Sequence, residues 1–134
     1  MAGPTDFLAM ERLYLAVRDA LSEPGVKSRN QWVTASKLCA RKRYDLFPVR
    51  DSVVCTYLGL IPSKGKGRGN YQIDYQVYRA LIGNREVIER IDDLVDRLRD
   101  GVPGREVRLD GGRLRLLDAA LWTWVDKSEL ARRR

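Results

Sequence analysis

Glycine alternates with cations from Ser63 to Gly69 (SKGKGRG), and this run constrains the fold more than any other stretch. It offers no side chain that could pack in a core, so it cannot hold a fixed structure alone. The apolar run Leu60-Ile61-Pro62 before it is expected to start a strand, and over 70–75 Tyr71, Ile73 and Tyr75 alternate with polar residues, as they do in strands. The sequence therefore predicts a β-hairpin over 60–75 with a long cationic tip.

Helices are predicted where apolar residues recur at three- and four-residue steps between capping residues, Pro and Gly. They cover Thr5–Ser22, Thr34 or Ser36 to Tyr44, Val49–Leu58 with Pro48 at its first turn, Gln76–Ile82, Asn84–Arg99 and Asp118–Ala131. Trp32-Val33 is expected to be extended. Charged and apolar residues alternate over 105–116 and predict a second hairpin. The expected fold class is α+β, with one domain over 1–83 and a helix–hairpin–helix module over 84–134.

The charges are separated along the chain. Residues 27–85 carry a net charge of +9, whereas residues 1–26 carry −2 and residues 86–131 carry −3. Ion pairs that stabilise a fold would place positive and negative residues in the same segments, whereas attraction to phosphate favours a segment of mostly positive charge. The middle of the chain is therefore expected to bind nucleic acid.

Other classes of function find little support in the composition. The chain has no histidine and two cysteines, Cys39 and Cys55, so neither a zinc site nor a disulfide framework is expected. Both cysteines are expected to be buried, and a disulfide between them stays open if the source is a hyperthermophile. The absence of His and the few Asn, Gln and Met fit either a thermophile or a GC-rich genome. No catalytic constellation, cofactor motif or small-molecule substrate is evident. No signal peptide or membrane span is predicted, which indicates an intracellular, cytoplasmic protein.

The order of elements in the first half resembles the winged helix-turn-helix family of DNA-binding proteins. Residues 34–44 resemble its second helix, and residues 49–58 resemble its recognition helix. The run Tyr57-Leu58-Gly59-Leu60-Ile61 is similar to the junction with the first wing strand, and residues 63–73 resemble the wing. The resemblance covers about residues 5–80 and implies a DNA-binding transcriptional regulator or architectural protein.

The candidate nucleic-acid contacts are the cations, hydroxyls and one aromatic residue that the predicted helices and wing turn outward. They are Lys37, Arg41, Lys42, Arg43, Arg50, Ser52, Thr56, Lys64, Lys66, Arg68 and Tyr71. The presumed recognition helix carries one cation, Arg50, so binding of the phosphate backbone is favoured over reading of bases. Trp122 and Trp124 point to opposite sides of the last helix, so one of them is expected to be exposed.

The long helix after Asn84 carries Ile88, Ile91, Val95 and Leu98 at heptad spacing, which predicts a homodimer. Packing of this stripe on its own chain is the open alternative, because two heptads do not establish a coiled coil. Two other functions also stay open. One is a protein that coats or packages single-stranded DNA or RNA without sequence preference, and the other is an adaptor subunit of a nucleoprotein machine.

Overall fold

The computed structural model describes residues 4–22, 31–61, 71–101 and 112–128, and the regular structure in these ranges is helical throughout. The helices are α1 (Pro4–Ala20), α2 (Gln31–Lys42), α3 (Ser52–Tyr57), α4 (Tyr71–Gly83), α5 (Arg85–Asp100) and α6 (Arg113–Lys127). The predicted α+β class is therefore wrong for this part of the chain. The wing tip, residues 63–69, and residues 105–111 of the second hairpin lie outside the described residues.

The predicted strands failed because their apolar residues also fit a helix. Tyr71, Asp74, Tyr75 and Tyr78 are buried at steps of three, one and three residues, which is one face of α4. Ile73, which the strand interpretation placed beside Tyr71 and Tyr75, is exposed. Residues 113–116 likewise form the first turn of α6.

Two helix boundaries differ from the prediction for local reasons. Helix α2 begins at Gln31, so Trp32 is a buried helical residue and not an extended one. Helix α3 begins after Asp51, whose carboxylate accepts a hydrogen bond from the Val53 amide at 2.8 Å. Pro48 therefore lies before the helix, where it is buried, and α3 is shorter than the predicted 49–58.

Two hydrophobic clusters hold the helices together. The first joins residues of α1, α2, α3 and α4, including Tyr14, Cys39, Cys55 and Tyr75, and α1 packs against α2. The second cluster contains Val54, Tyr78, Ile91, Leu114 and Leu117. Because Val54 and Tyr78 precede residue 84 and the other three follow it, the segment after residue 84 packs on the first part of the chain.

Helix α6 runs parallel to the segment 44–57. Gly112 precedes it with φ +114°, a conformation that favours glycine, and a Cβ there would lie 3.5 Å from the Tyr44 ring. Further along, Asp118 accepts a hydrogen bond from the Val49 amide at 3.0 Å. Near the end of the helix, Trp124 donates to the Tyr57 hydroxyl at 2.9 Å.

Arg50 lies at the centre of the first cluster with 1 % of its surface exposed. Its Nε donates to Asp74 Oδ2 at 2.8 Å, and its Nη2 also contacts that oxygen. The rings of Tyr14, Trp32 and Tyr71 lie 5.2–5.5 Å from the guanidinium carbon. Such rings attract a cation, so the guanidinium is surrounded by one carboxylate and three aromatic faces.

Burial alone would lower the pKa of Arg50, but the charge of Asp74 and the hydrogen bonds to it outweigh burial and raise that pKa. The guanidinium therefore stays charged in the core. Burial also raises the pKa of Asp74, and the charge and hydrogen bonds of Arg50 oppose that rise. Each partner thus depends on the other, because an unpaired buried charge is strongly unfavourable.

Asp118 is a second buried carboxyl group. Burial raises its pKa to about 7, while the hydrogen bond from Val49 and the charge of Arg115 oppose the rise. Its other oxygen has no hydrogen-bond partner among the described residues. The hydrogen bond from Val49 to Asp118 therefore holds α6 against residue 49, but burial of the carboxylate away from solvent is unfavourable.

Removing one partner of the central ion pair is expected to destabilise the protein by about 3–5 kcal/mol, because the other charge stays buried and unpaired. Asp74→Leu and Arg50→Met should each show this loss in urea unfolding. The double variant Arg50→Met/Asp74→Leu should be more stable than either single variant. Asp92→Ala, which removes an exposed partner of Arg113, is the control and should cost no more than about 1 kcal/mol. A double variant as unstable as both losses added together would contradict the coupling.

The stability of the protein is expected to fall as the pH rises through about 7, because of Asp118. Its folded pKa lies above the value of about 3.9 in an unfolded chain, so the folded state binds more protons between these values. Asp118→Asn keeps an oxygen that can accept from Val49 but does not ionise. The difference in unfolding free energy between this variant and the parent should move by about 2–3 kcal/mol in favour of the variant between pH 5 and pH 8. Asp126→Asn, at an exposed position of α6, should show no such change.

Candidate nucleic-acid interface

Helix α2 divides into a buried face and a cationic face. Residues 32, 35, 36, 39 and 40 are buried against α1 and the first cluster. The opposite face consists of five exposed residues at helical spacing, namely Thr34, Lys37, Leu38, Arg41 and Lys42. The whole helix has no acidic residue, so the exposed face presents positive charge alone.

Most of the cations on this face are not neutralised by neighbours. Lys37 Nζ lies 3.9 Å from Asp51 Oδ2, a long contact at the edge of α3. Arg41 and Lys42 form no ion pair with any described residue. Arg43, just beyond the helix, donates to Asp45 at 3.1 and 3.2 Å, and this pairing raises the pKa of Arg43. The available charge is therefore concentrated at Lys37, Arg41 and Lys42.

Helix α3 continues this surface from Asp51 onward. Ser52 is exposed, and Thr56 one turn later is half-buried with its hydroxyl donating to the Ser52 carbonyl at 2.7 Å. Tyr57 ends the helix with 40 % of its surface exposed. Because Lys37 approaches the start of α3, the cationic face of α2 and the outer face of α3 adjoin.

Two candidate contacts are not where the sequence interpretation placed them. The expectation that Arg50 faces outward is wrong, because its side chain pairs with Asp74 in the core. Tyr71 is also buried, and its ring stacks on Tyr14 with the centroids 4.7 Å apart. Lys64, Lys66 and Arg68 lie outside the described residues. The structure therefore brings Lys37, Arg41, Lys42, Ser52 and Thr56 together on one side of the molecule.

The sequence interpretation missed an aromatic pair at the end of this surface. Trp124 is 63 % exposed, and its indole nitrogen donates to the hydroxyl of Tyr57. Trp122 is also exposed, at 51 %, although only one exposed tryptophan was expected. The signal was available in the sequence, because α6 buries Leu114, Leu117 and Val125 on one stripe. Positions 122 and 124 lie on opposite flanks of that stripe.

The predicted dimerisation residues are shared with the protein's own core. Ile91 is buried in the second cluster, and Ile88, Val95 and Leu98 are half-buried. A groove beside Ile91 is lined by Val87 and Leu94 of α5 and by residues 117 and 120 of α6. Of the four predicted dimerisation residues, only Ile91 lines this groove. The homodimer stays a prediction.

The two cysteines lie in the core of the described part of the chain. Cys39 and Cys55 are free and buried, as expected, and burial raises the pKa of Cys55 to about 12. Such a thiol is a poor nucleophile at neutral pH. Within the ranges that the structure describes, no three side chains of the metal-binding types come together. No described helix is long and apolar enough to cross a membrane.

The structure differs from the winged-helix pattern at two places in the described residues. Residues 43–51 separate α2 from α3, in place of a turn of three or four residues, and α3 packs against α6. The returning wing strand expected over 70–75 is helical from Tyr71 onward. The arrangement of α2 and α3 therefore differs from that of a helix-turn-helix.

Comparison with known proteins gives one match. The model of a family of unknown function (DUF6308) matches residues 2–125. No curated protein and no solved structure matches the chain. The match spans both hydrophobic clusters, the cationic face of α2 and the Tyr57–Trp124 pair. The chain belongs to the DUF6308 family.

Proposed function

We propose that this protein binds nucleic acid through the exposed face of α2 and the adjoining outer face of α3. The observation that carries the proposal is the group formed by Lys37, Arg41 and Lys42, which share one face without an acidic residue on their helix. Their position in the segment of net charge +9 supports the same proposal. Clustered cations on one face of a domain are typical of surfaces that bind phosphate.

Cations near the end of a helix also interact favourably with the helix dipole, which offers a simpler explanation for Arg41 and Lys42. That effect falls off within the last turn, and Lys37 lies beyond it. It also gives no reason for the absence of acids from the remaining exposed positions. Phosphate binding explains all three cations together.

The proposed contacts are to the backbone and not to base edges. Helix α3 has six residues, and none of them is a cation. Arg50 was the one cation of the presumed recognition helix, and its side chain pairs with Asp74 in the core, where it cannot contact a base. Because α3 carries no Arg, Asn or Gln, it has few donors for direct readout of bases. We therefore favour a nucleic-acid binder with little sequence preference over a regulator with one target site, and an intracellular location follows from that activity.

Replacing Lys37, Arg41 and Lys42 together by Ala is expected to weaken binding of a random-sequence duplex at least tenfold at low salt. The slope of log K against log salt concentration should become shallower by about 2–3, because each lost phosphate contact contributes about 0.9. Fluorescence anisotropy over a salt series measures both quantities.

The matched control is Arg12→Ala/Arg85→Ala/Arg99→Ala, which removes the same charge from exposed positions of α1 and α5 outside the α5–α6 groove. It should leave the slope within about 1 of the parent. Equal loss in both triple variants would show that net charge alone governs binding, and no loss in the α2 variant would contradict the proposed surface.

A second copy of the chain is the partner that the α5–α6 groove fits best. Glu86, Arg90, Asp93 and Arg97 line the groove along α5 in the order acid, base, acid, base. An antiparallel copy of the helix would place each acid opposite a base, so the pattern is self-complementary. Leu94, 37 % exposed between them, adds an apolar contact.

Leu94→Glu is expected to convert this dimer to a monomer, because it removes the apolar contact between the charged residues of the groove and adds a charged group that must lose its hydration on burial. Light scattering after size-exclusion chromatography at tens of micromolar measures the mass. Leu8→Glu places the same change on an exposed leucine of α1 and should leave the dimer intact. A monomeric parent protein would refute the pairing outright.

A further inference from the structure

The Tyr57–Trp124 pair is the most exposed aromatic group that is fixed in place in the described residues. The hydrogen bond from Trp124 Nε1 to the Tyr57 hydroxyl joins the end of α3 to the end of α6. Single exposed apolar side chains are common on protein surfaces, whereas adjoining exposed rings form a contiguous patch of the kind that binds ligands. Because the bond holds both rings before any ligand arrives, little side-chain entropy is lost on binding.

The protein's own core does not need these rings. Helix α6 already buries Leu114, Leu117 and Val125, and α3 buries Val54 and Cys55. Trp124 keeps 63 % of its surface in solvent, and the fold gains little from an exposed ring. The position of Trp124 beside Tyr57 is therefore better explained by a ligand than by packing.

The pair lies at the far end of α3 from the cationic face of α2. Lys37 contacts Asp51, which precedes the first residue of α3, and Tyr57 is its last residue. Six helical residues span about 9 Å. Ser52 and Thr56 lie between the two ends on one side of the helix, because they are four residues apart. A single strand following α3 can reach the cations and the rings together.

We propose that Tyr57 and Trp124 form a stacking platform for unpaired bases, so that the protein binds single-stranded nucleic acid in preference to duplex. This inference rests on the proposed function and adds the form of nucleic acid that is bound. Cations hold the phosphates, and the rings stack on bases regardless of sequence, which is how single strands are bound without sequence preference. In a duplex the bases are paired and stacked on each other, so the rings would gain nothing.

A partner protein is the other class of occupant for an exposed aromatic pair. The neighbouring cations favour nucleic acid, because charged residues are depleted at the centre of protein interfaces. If the pair binds a protein instead, replacing Trp124 should not change the preference for single-stranded over duplex DNA. A comparison of the two forms of DNA therefore distinguishes a nucleic-acid occupant from a protein occupant.

The test compares binding of a 20-residue thymidine oligonucleotide with binding of a 20-base-pair duplex at one salt concentration. Trp124→Ala is expected to weaken binding of the oligonucleotide roughly tenfold and to leave duplex binding within about twofold. Trp122→Ala, an exposed tryptophan on the opposite flank of the same helix, is the matched control and should change neither. Trp124→Phe keeps a ring and should restore most of the loss.

Tryptophan fluorescence gives a second readout that needs no affinity. A stacked base quenches an indole, so the oligonucleotide should quench the Trp122→Ala protein and should quench the Trp124→Ala protein much less. Circular dichroism checks that both variants keep the helical content of the parent, which their exposure leads us to expect.

Failure of this inference is distinguishable from failure of the proposed function. If the α2 triple variant loses affinity while Trp124→Ala binds the oligonucleotide like the parent, the platform is refuted and the cationic surface stands. An equal loss for oligonucleotide and duplex in Trp124→Ala also refutes the platform. If the parent protein binds neither nucleic acid at low salt, both proposals fall.

Discussion

The buried ion pair between Arg50 and Asp74 is the interaction on which the rest of this structure depends. A charged guanidinium in a core is stable only with a counter-ion and favourable surroundings. Here Asp74 comes from α4, and the three surrounding rings come from α1, α2 and α4. The pair therefore fixes the positions of three helices around one side chain, which apolar packing alone would specify less strictly.

Hydrogen bonds of Val49, Arg50 and Asp51 connect the core around this ion pair to the proposed interface. The Val49 carbonyl accepts from Tyr78 at 3.3 Å, and its amide donates to Asp118. The Arg50 amide donates to the Ser36 hydroxyl of α2 at 2.8 Å. Asp51 then caps α3 and approaches Lys37. The cationic face of α2 and the outer face of α3 are thus held in one arrangement by groups that are themselves buried or half-buried.

Helix α2, the buried cysteines and the cationic character of the middle segment could be predicted from the sequence. In α2 the buried residues and the exposed cations recur with helical period, so this spacing fits a helix and does not fit a strand. The second half of α4 was predicted as a helix over Gln76–Ile82, but its first half, from Tyr71 to Tyr75, was predicted as a strand. Tyr71 and Tyr75 fit a strand as well as a helix, and Ile73 favoured the strand. The helix buries Asp74 together with the tyrosines, because only a helix brings Asp74 to the same face as Tyr71 and Tyr75.

The misplacement of Arg50 follows from that of α4. In the sequence the only acid close to Arg50 is its neighbour Asp51, and nothing indicates a counter-ion in the core, so the side chain is expected to face outward. Its counter-ion becomes visible only after residues 71–83 are known to be helical. Since Asp74 removes Arg50 from the surface, the outer face of α3 keeps hydroxyls and a tyrosine but no cation. A surface with cations at one end of a short helix and fixed rings at the other is poorly suited to reading paired bases, and better suited to a strand whose bases are free.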